Sequence, residues 1–406
     1  MLDLIEKSID QKGHVFVSIF ILTLFLKHIY APYALGLIVI YSIFSSVNKN
    51  SFKLDKDLWV FSIIPLVFIF NILIFGANID TYQKFIRILP IILMPFAISL
   101  IKLTSRQIHF VLSFYIYSLI IFSIFWIGSV STYYWQIETR EHLLNLNRTI
   151  LYGQVYIPRF FDFHTPYICL YILVGCLICW YKLKITNRIY YLGIFIFFIL
   201  LMLYFTGRTA LFIGLLLLVY TLLDFLISSR YNLIIVLGMV IVLFTIVVLS
   251  VNMFPMLHDK LLNISEKGFG VFHRIDYWKA SINLIKEHPI FGYGFKNYQS
   301  ELLAYFGKKD VTNIHNQYLE YLVPSGLIGL LCYLYFKGKL IIKSINTKNW
   351  IFLIFIIMFS LTEITESILS RQRGVMLFSL FSSLFYFSNY RETPPPDVSS
   401  IKNRTV

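Results

Sequence analysis

The feature that most restricts this chain is the recurrence of long apolar runs from His14 to Tyr390, interrupted by polar gaps. Read as helices crossing a bilayer, the runs fall at roughly 14–30, 32–47, 58–77, 85–101, 107–129, 166–183, 188–206, 209–228, 232–252, 316–336, 350–369 and 374–389. Twelve spans of roughly 20 residues need about 240 apolar positions, and 58% of 406 residues supplies nearly that number. Charged residues make up 14% of the chain, against about 25% in soluble domains, and the mean hydropathy is +0.73. A water-soluble globular enzyme is excluded, as is a protein with a single anchor. The expected fold is all-α: a polytopic membrane protein with about twelve transmembrane helices.

The net charge of +14 does not point to nucleic acid, because the Lys and Arg residues lie in the gaps between runs, where they set orientation. With twelve spans the termini share a side with the even-numbered gaps, and that side holds 18 of the 35 basic residues. Most of the other 17 lie in two long gaps, 130–165 and 253–315, which translocate largely regardless of charge. The short gaps alone divide 18 against 6, so both termini are expected to be cytoplasmic and both long loops outward. Acidic and basic residues mix in positions 1–13 and no small-residue cleavage site follows, so the first run reads as a retained span.

The expected organisation is a transmembrane region over 1–252 with nine helices and a loop at about 130–165. A large outer loop with short helices follows over 253–315, then C-terminal helices over 316–389. The tail 390–406, with Pro394, Pro395 and Pro396, reads as a disordered cytoplasmic end. Cys169, Cys176 and Cys179 share one apolar run, with Cys332 in another, and neither setting suits zinc or redox chemistry.

Chemistry is to be sought in polar residues that the topology does not need. Arg208 sits in a very tight turn, Phe205 to Thr209, at the outer boundary. It is either a snorkelling anchor or, since that face needs few cations, an anion ligand. In the long loop Trp278 lies one helical turn beyond Arg274, and Pro289, Gly292 and Gly294 then end the helix and force a turn. Asn313 reads as an N-cap that places His315 in the first turn of the tenth span, where dipole and desolvation favour a neutral imidazole able to accept a proton. The competing reading is an interfacial or capping His. Pro324, Ser325, Gly326 and Gly329 read as a kink or a close approach. Glu363 and Glu366, three apart, are expected on one helix face just inside the outer end, paired to Arg371 and Arg373 or binding acceptor sugar. Arg87, Arg140, Arg148, Arg159 and His164 are lesser candidates.

These residues resemble, in order and spacing, the bacterial O-antigen ligase and polymerase-like membrane proteins. The elements that carry the resemblance are Thr206 to Arg208, Arg274, Trp278, Ala280, Pro289, Gly292, Gly294, His315, Asn316, Gly326, Gly329 and the stretch Glu366 to Gly374. They cover about 200–380; the first five spans match in hydrophobic character alone. The chain departs from the family in carrying Gly207 before Arg208 and Pro324-Ser325 before the glycine.

The resemblance implies a GT-C type glycosyltransferase of the bacterial inner membrane, acting at the periplasmic face on an undecaprenyl-diphosphate-linked glycan. Arg208 and Arg274 would receive the charge of the leaving diphosphate, and His315 would deprotonate the acceptor hydroxyl. Each close charge pair is worth on the order of 4 kcal/mol at an effective dielectric near 20 before desolvation. Two arginines would then replace a metal, and direct displacement would invert the anomeric centre; no cofactor is expected. Substrate contacts are expected from Arg87, Trp278, Asn316, Tyr318, Glu363, Glu366, Arg371 and Arg373. The acceptor is expected to be lipid A-core, making the chain an O-antigen ligase, or a second lipid-linked glycan, making it a polymerase. A polysaccharide transporter or flippase without chemistry is the rival of another class, and it predicts functional charges near the bilayer midplane.

Overall fold

A computed structural model describes residues 12–48, 52–137, 165–205, 207–227, 271–306 and 313–387. The expected ninth span 232–252, the tail 390–406, Thr206, Arg140, Arg148, Arg159 and His164 lie outside them. The described residues are helical, with no strand among them.

The helices are α1 (Gly13–Leu24), α2 (Tyr30–Asn48), α3 (Leu58–Phe75), α4 (Ile79–Ile88), α5 (Pro90–Ile101), α6 (Ser105–Ile137) and α7 (Thr165–Thr186). They continue with α8 (Tyr190–Tyr204), α9 (Arg208–Ile227), α10 (Val271–Glu287), α11 (Tyr298–Phe306), α12 (Gln317–Asn346), α13 (Trp350–Thr362) and α14 (Gln372–Phe387). Among the described residues six segments are long and apolar enough to cross a membrane: α2, α3, α4 with α5, most of α6 and of α7, and α12. The protein is therefore a multi-pass membrane protein.

Helix α7 is the centre of the bundle, packed against α6, α8, α9 and α13. Its Cys169, Cys176 and Cys179 are buried and free, as their setting in an apolar run implied. The Cβ that Gly207 lacks would collide with Cys169, which accounts for a glycine beside Arg208.

Several expected boundaries are corrected. The first run forms a helix of only 12 residues, about 18 Å long. The fourth begins earlier, at Ile79, and breaks at Leu89 before Pro90, so Arg87 lies in the last turn of α4 rather than at the start of a span. The fifth continues to Ile137, into the segment read as loop. Lys182 and Lys337, counted as gap charges, are instead buried within helices. Removing them leaves 16 of the 18 basic residues counted for the expected cytoplasmic side.

The kink or close approach expected around Gly326 is present in α12, and it is sharp. Gly326 has φ 63°, ψ −164° and breaks the helix, so the limb 317–325 and the limb 327–346 run in different directions. The rings of Tyr321 and Tyr333 stack at 4.5 Å, although twelve residues of straight helix would separate them by about 18 Å. The helix also runs ten residues past the expected end of the span at 336, to Asn346.

A break inside a membrane helix leaves amides and carbonyls that must be satisfied by protein. The turn 289–294 satisfies them. Tyr293 N donates to Val323 O at 3.1 Å and Gly294 N to Pro324 O at 2.8 Å, while Leu327 N donates to Pro289 O at 2.8 Å. The two chains approach so closely that a Cβ on Gly292, at φ 71°, would strike the main chain at Val323, Pro324 and Gly326, and a Cβ on Gly326 would strike that of Ile290 and Phe291. Asn71 of α3 fastens the arrangement, donating to Pro324 O at 2.9 Å and accepting from Phe295 N at 2.8 Å.

Candidate active site

The local geometry around His315 differs from the sequence expectation. The N-cap of α12 is Asn316, whose side-chain oxygen accepts from Tyr318 N and Leu319 N at 3.0 Å. Asn313 instead accepts from His315 N at 3.0 Å. His315 therefore stands just before the helix, with a left-handed φ of 56°, an uncommon backbone for a non-glycine residue. The first-turn dipole argument does not apply to it in that form.

What faces His315 is a carboxylate. Helix α13 ends at Thr362, and residues 363–367 form a turn leading to a 3-10 segment at Ile368–Ser370. Glu363 and Glu366 thus do not share a helix face. Glu366 points to the loop side: its Oε2 lies 3.2 Å from His315 Nδ1 and its Oε1 forms an ion pair with Arg274. The Glu366 side chain is only 9% exposed, whereas Arg274 and His315 are 29% and 35% exposed. A buried carboxylate holding two accessible partners is well placed to orient both.

Glu363 turns inward. It is fully buried, and its Oε1 accepts from Lys337 Nζ at 2.8 Å. The ammonium also lies over the rings of Phe378 and Tyr333. Neither glutamate pairs with Arg371 or Arg373, contrary to expectation. Arg373 is buried and donates to Leu24 O at 3.1 Å, whereas Arg371 is exposed.

Arg208 begins α9 and is exposed. Its neighbour Thr209 shares a 2.8 Å hydroxyl hydrogen bond with Thr365, and Thr365 directly precedes Glu366. Arg274 and His315 thus meet on Glu366 of the turn 363–367, and Arg208 stands next in sequence to Thr209, which touches the same turn. Other expected contacts serve the scaffold. The Trp278 indole donates to Ile314 O at 3.1 Å, the Asn316 amide to Ile364 O at 3.0 Å, and the Tyr318 hydroxyl to Ser360 O at 3.0 Å.

On the other side of the 313–317 turn lies a small cleft of about 60 Å³ lined by Lys84, Arg87, Tyr298, Asn313, Gln317, Glu320 and Arg371 among others. Glu320 has no sequence signal that sets it apart from a polar residue in the first turn of a helix. It is buried and accepts from Ile314 N at 3.0 Å and from the Tyr298 hydroxyl at 2.9 Å. Burial, then the neighbouring carboxylate, pushes the Tyr298 phenol well above its usual range, so it remains a donor. A second groove, of about 430 Å³, is almost wholly apolar and runs between α3 and the long limb of α12, from Phe75 and Phe291 to Ile63 and Tyr335.

The fold and this cluster define a multi-pass membrane protein with polar chemistry gathered at one end of its bundle. Residues 193–334 match the family model described as O-antigen ligase, which supports the O-antigen ligase-like family that the motifs resemble. The matched stretch includes Arg208, Arg274, His315 and the break at Gly326. An uncharacterized protein of Haemophilus influenzae is 31% identical over 98 residues, covering 22% of this chain and 25% of that relative. The chain thus matches about a quarter of that relative's length.

Proposed function

We propose that the protein is a glycosyltransferase of the bacterial inner membrane that moves a glycan from undecaprenyl diphosphate to an acceptor hydroxyl at the periplasmic face. The acceptor in this reading is lipid A-core, as for an O-antigen ligase; polymerisation onto a second lipid-linked glycan is the same chemistry with another acceptor. The observation that carries the proposal is Glu366 gripping Arg274 and His315 together, beside the exposed Arg208.

An ionised carboxylate only accepts hydrogen bonds, so Glu366 orients His315 with Nδ1–H toward itself and leaves Nε2 free to take a proton. The acceptor oxygen loses its proton to Nε2 as it attacks the anomeric carbon. The bond from that carbon to the diphosphate oxygen breaks, and its electron pair leaves on the lipid diphosphate. Attack opposite the leaving group inverts the centre. Arg208 and Arg274 sit where positive charge would stabilise the departing anion. Guanidinium charge performs this task without a metal. The apolar groove between α3 and α12 offers a place for an isoprenoid chain.

The transporter reading draws on charge inside the bilayer, and Lys337 with Glu363 is such charge. Those two groups are bound to each other and sealed from solvent, which suits a structural pair better than a translocation path. The test is transfer by purified protein from a defined undecaprenyl-diphosphate donor to each acceptor, with and without chelator. Glycosidic product that survives chelation and disappears in His315→Ala is expected. Donor moved across a vesicle with no bond formed would overturn the proposal.

A further inference from the structure

The cleft beyond the 313–317 turn is electrostatically unbalanced. Glu320 is the carboxylate in its lining, and that charge is directed inward, accepting from Ile314 N and the Tyr298 hydroxyl. Lys84 donates to the same hydroxyl at 3.3 Å and lies over the Tyr298 ring. The two arginines of the lining have no such anchoring. Arg87 reaches only Gln83 Oε1 at 3.5 Å, and among the described residues neither Arg87 nor Arg371 has a carboxylate within ion-pair distance. Guanidinium groups that line a polar cleft with no carboxylate partner among the described residues fit a phosphate.

The position of the cleft indicates whose phosphate. Asn313 and Gln317 line it, and they flank His315 in sequence, whereas Arg274 reaches the Glu366 that holds His315 from α10. A transferase base must stand between two substrates. With the donor diphosphate on Arg208 and Arg274, the cleft falls to the second substrate. We propose that this cleft seats a phosphate or diphosphate carried by the acceptor glycan, with Arg87 and Arg371 as its ligands and Glu320 and Tyr298 as the floor that holds them apart. This assignment rests on the transferase reading given above, and it makes acceptor charge a determinant of specificity.

The experiment compares one acceptor oligosaccharide in phosphorylated and enzymatically dephosphorylated forms, with the full-length protein in nanodiscs. Direct binding of each form is measured to wild type, to Arg87→Gln/Arg371→Gln and to Arg208→Gln/Arg274→Gln. Wild type is expected to favour the phosphorylated form by about tenfold or more, since a charge-assisted hydrogen bond contributes that order of affinity. The cleft variant loses this preference, the Arg208/Arg274 variant keeps it, and Arg87→Lys/Arg371→Lys, which preserves charge, retains part of it. Equal binding of the two forms by wild type would overturn the assignment, as would a preference that survives in the Gln variant. Loss of the preference in the Arg208/Arg274 variant alone would place the phosphate at the donor site and also overturn it. A phosphate preference lost with the cleft arginines in a protein that forms no glycosidic bond would sink the transferase reading instead, so the two failures are distinct.

Discussion

Glu366 Oε2 lies 3.2 Å from His315 Nδ1, joining a loop that precedes α12 to a turn that follows α13, 51 residues later. Neither segment would hold the imidazole alone. The carboxylate fixes which nitrogen faces outward, and Arg274 on its other oxygen holds that carboxylate in place.

Glu366→Gln removes the charge and keeps the shape. Turnover is expected to fall by about 100-fold or more, within the range a positioned general base supplies, while donor binding changes little. Single-turnover transfer alongside equilibrium donor binding checks this; an unchanged rate would remove Glu366 from the mechanism.

The two arginines differ in what else they do. Arg208 is exposed, so Arg208→Ala is expected to abolish transfer and leave thermal stability unchanged. Arg274→Ala also leaves the largely buried Glu366 without its cation, at a cost of about 1–3 kcal/mol. Detergent-solubilised unfolding curves should therefore shift for the second variant and not the first.

The pair Lys337–Glu363 is buried at 2.8 Å. Lys337→Met or Glu363→Leu alone strands a charge and is expected to cost about 3–5 kcal/mol, whereas the double variant Lys337→Met/Glu363→Leu returns close to wild type. A double-mutant cycle measured by unfolding reads the coupling directly. Transfer by a folded double variant would show the pair to be structural; loss of transfer with stability intact would revive a role in proton or ion movement.

At the break in α12, Gly326→Ala and Gly292→Ala force a side chain into left-handed backbone and against an opposing main chain. Each is expected to lower stability by at least about 1–3 kcal/mol. Gly338 is a control in the long limb of the same helix, since a Cβ there meets nothing within 4 Å; Gly338→Ala should be neutral or stabilising by up to about 1 kcal/mol.

The apolar, helical character of the chain is legible in the sequence because bilayer insertion depends on composition, and Arg208, Arg274 and His315 stand out as candidates because the topology does not need them. It conceals partners. Glu363 and Glu366 have the spacing of one helix face, but the helix ends at Thr362 and the two carboxylates part, one toward Lys337 and one toward His315. Glu320 is hidden for a related reason: only the fold brings Tyr298 and the amide of Ile314 to it. Asn313 and Asn316 are equally good caps in composition, and the choice between them is made by the Ile364 carbonyl and the Ser367 hydroxyl, which hold Asn316.

Chain order gives the interrupted helix a route to assembly. Residues 289–294 leave the ribosome before 317–346, and Asn71 long before either. When the nine-residue limb 317–325 emerges, too short to cross a membrane by itself, the wedge that will cap it has already been made. Every group that covers the discontinuity therefore precedes it in the chain, and a rearranged chain that carried α12 ahead of 289–294 would present bare peptide groups to the bilayer until those segments followed.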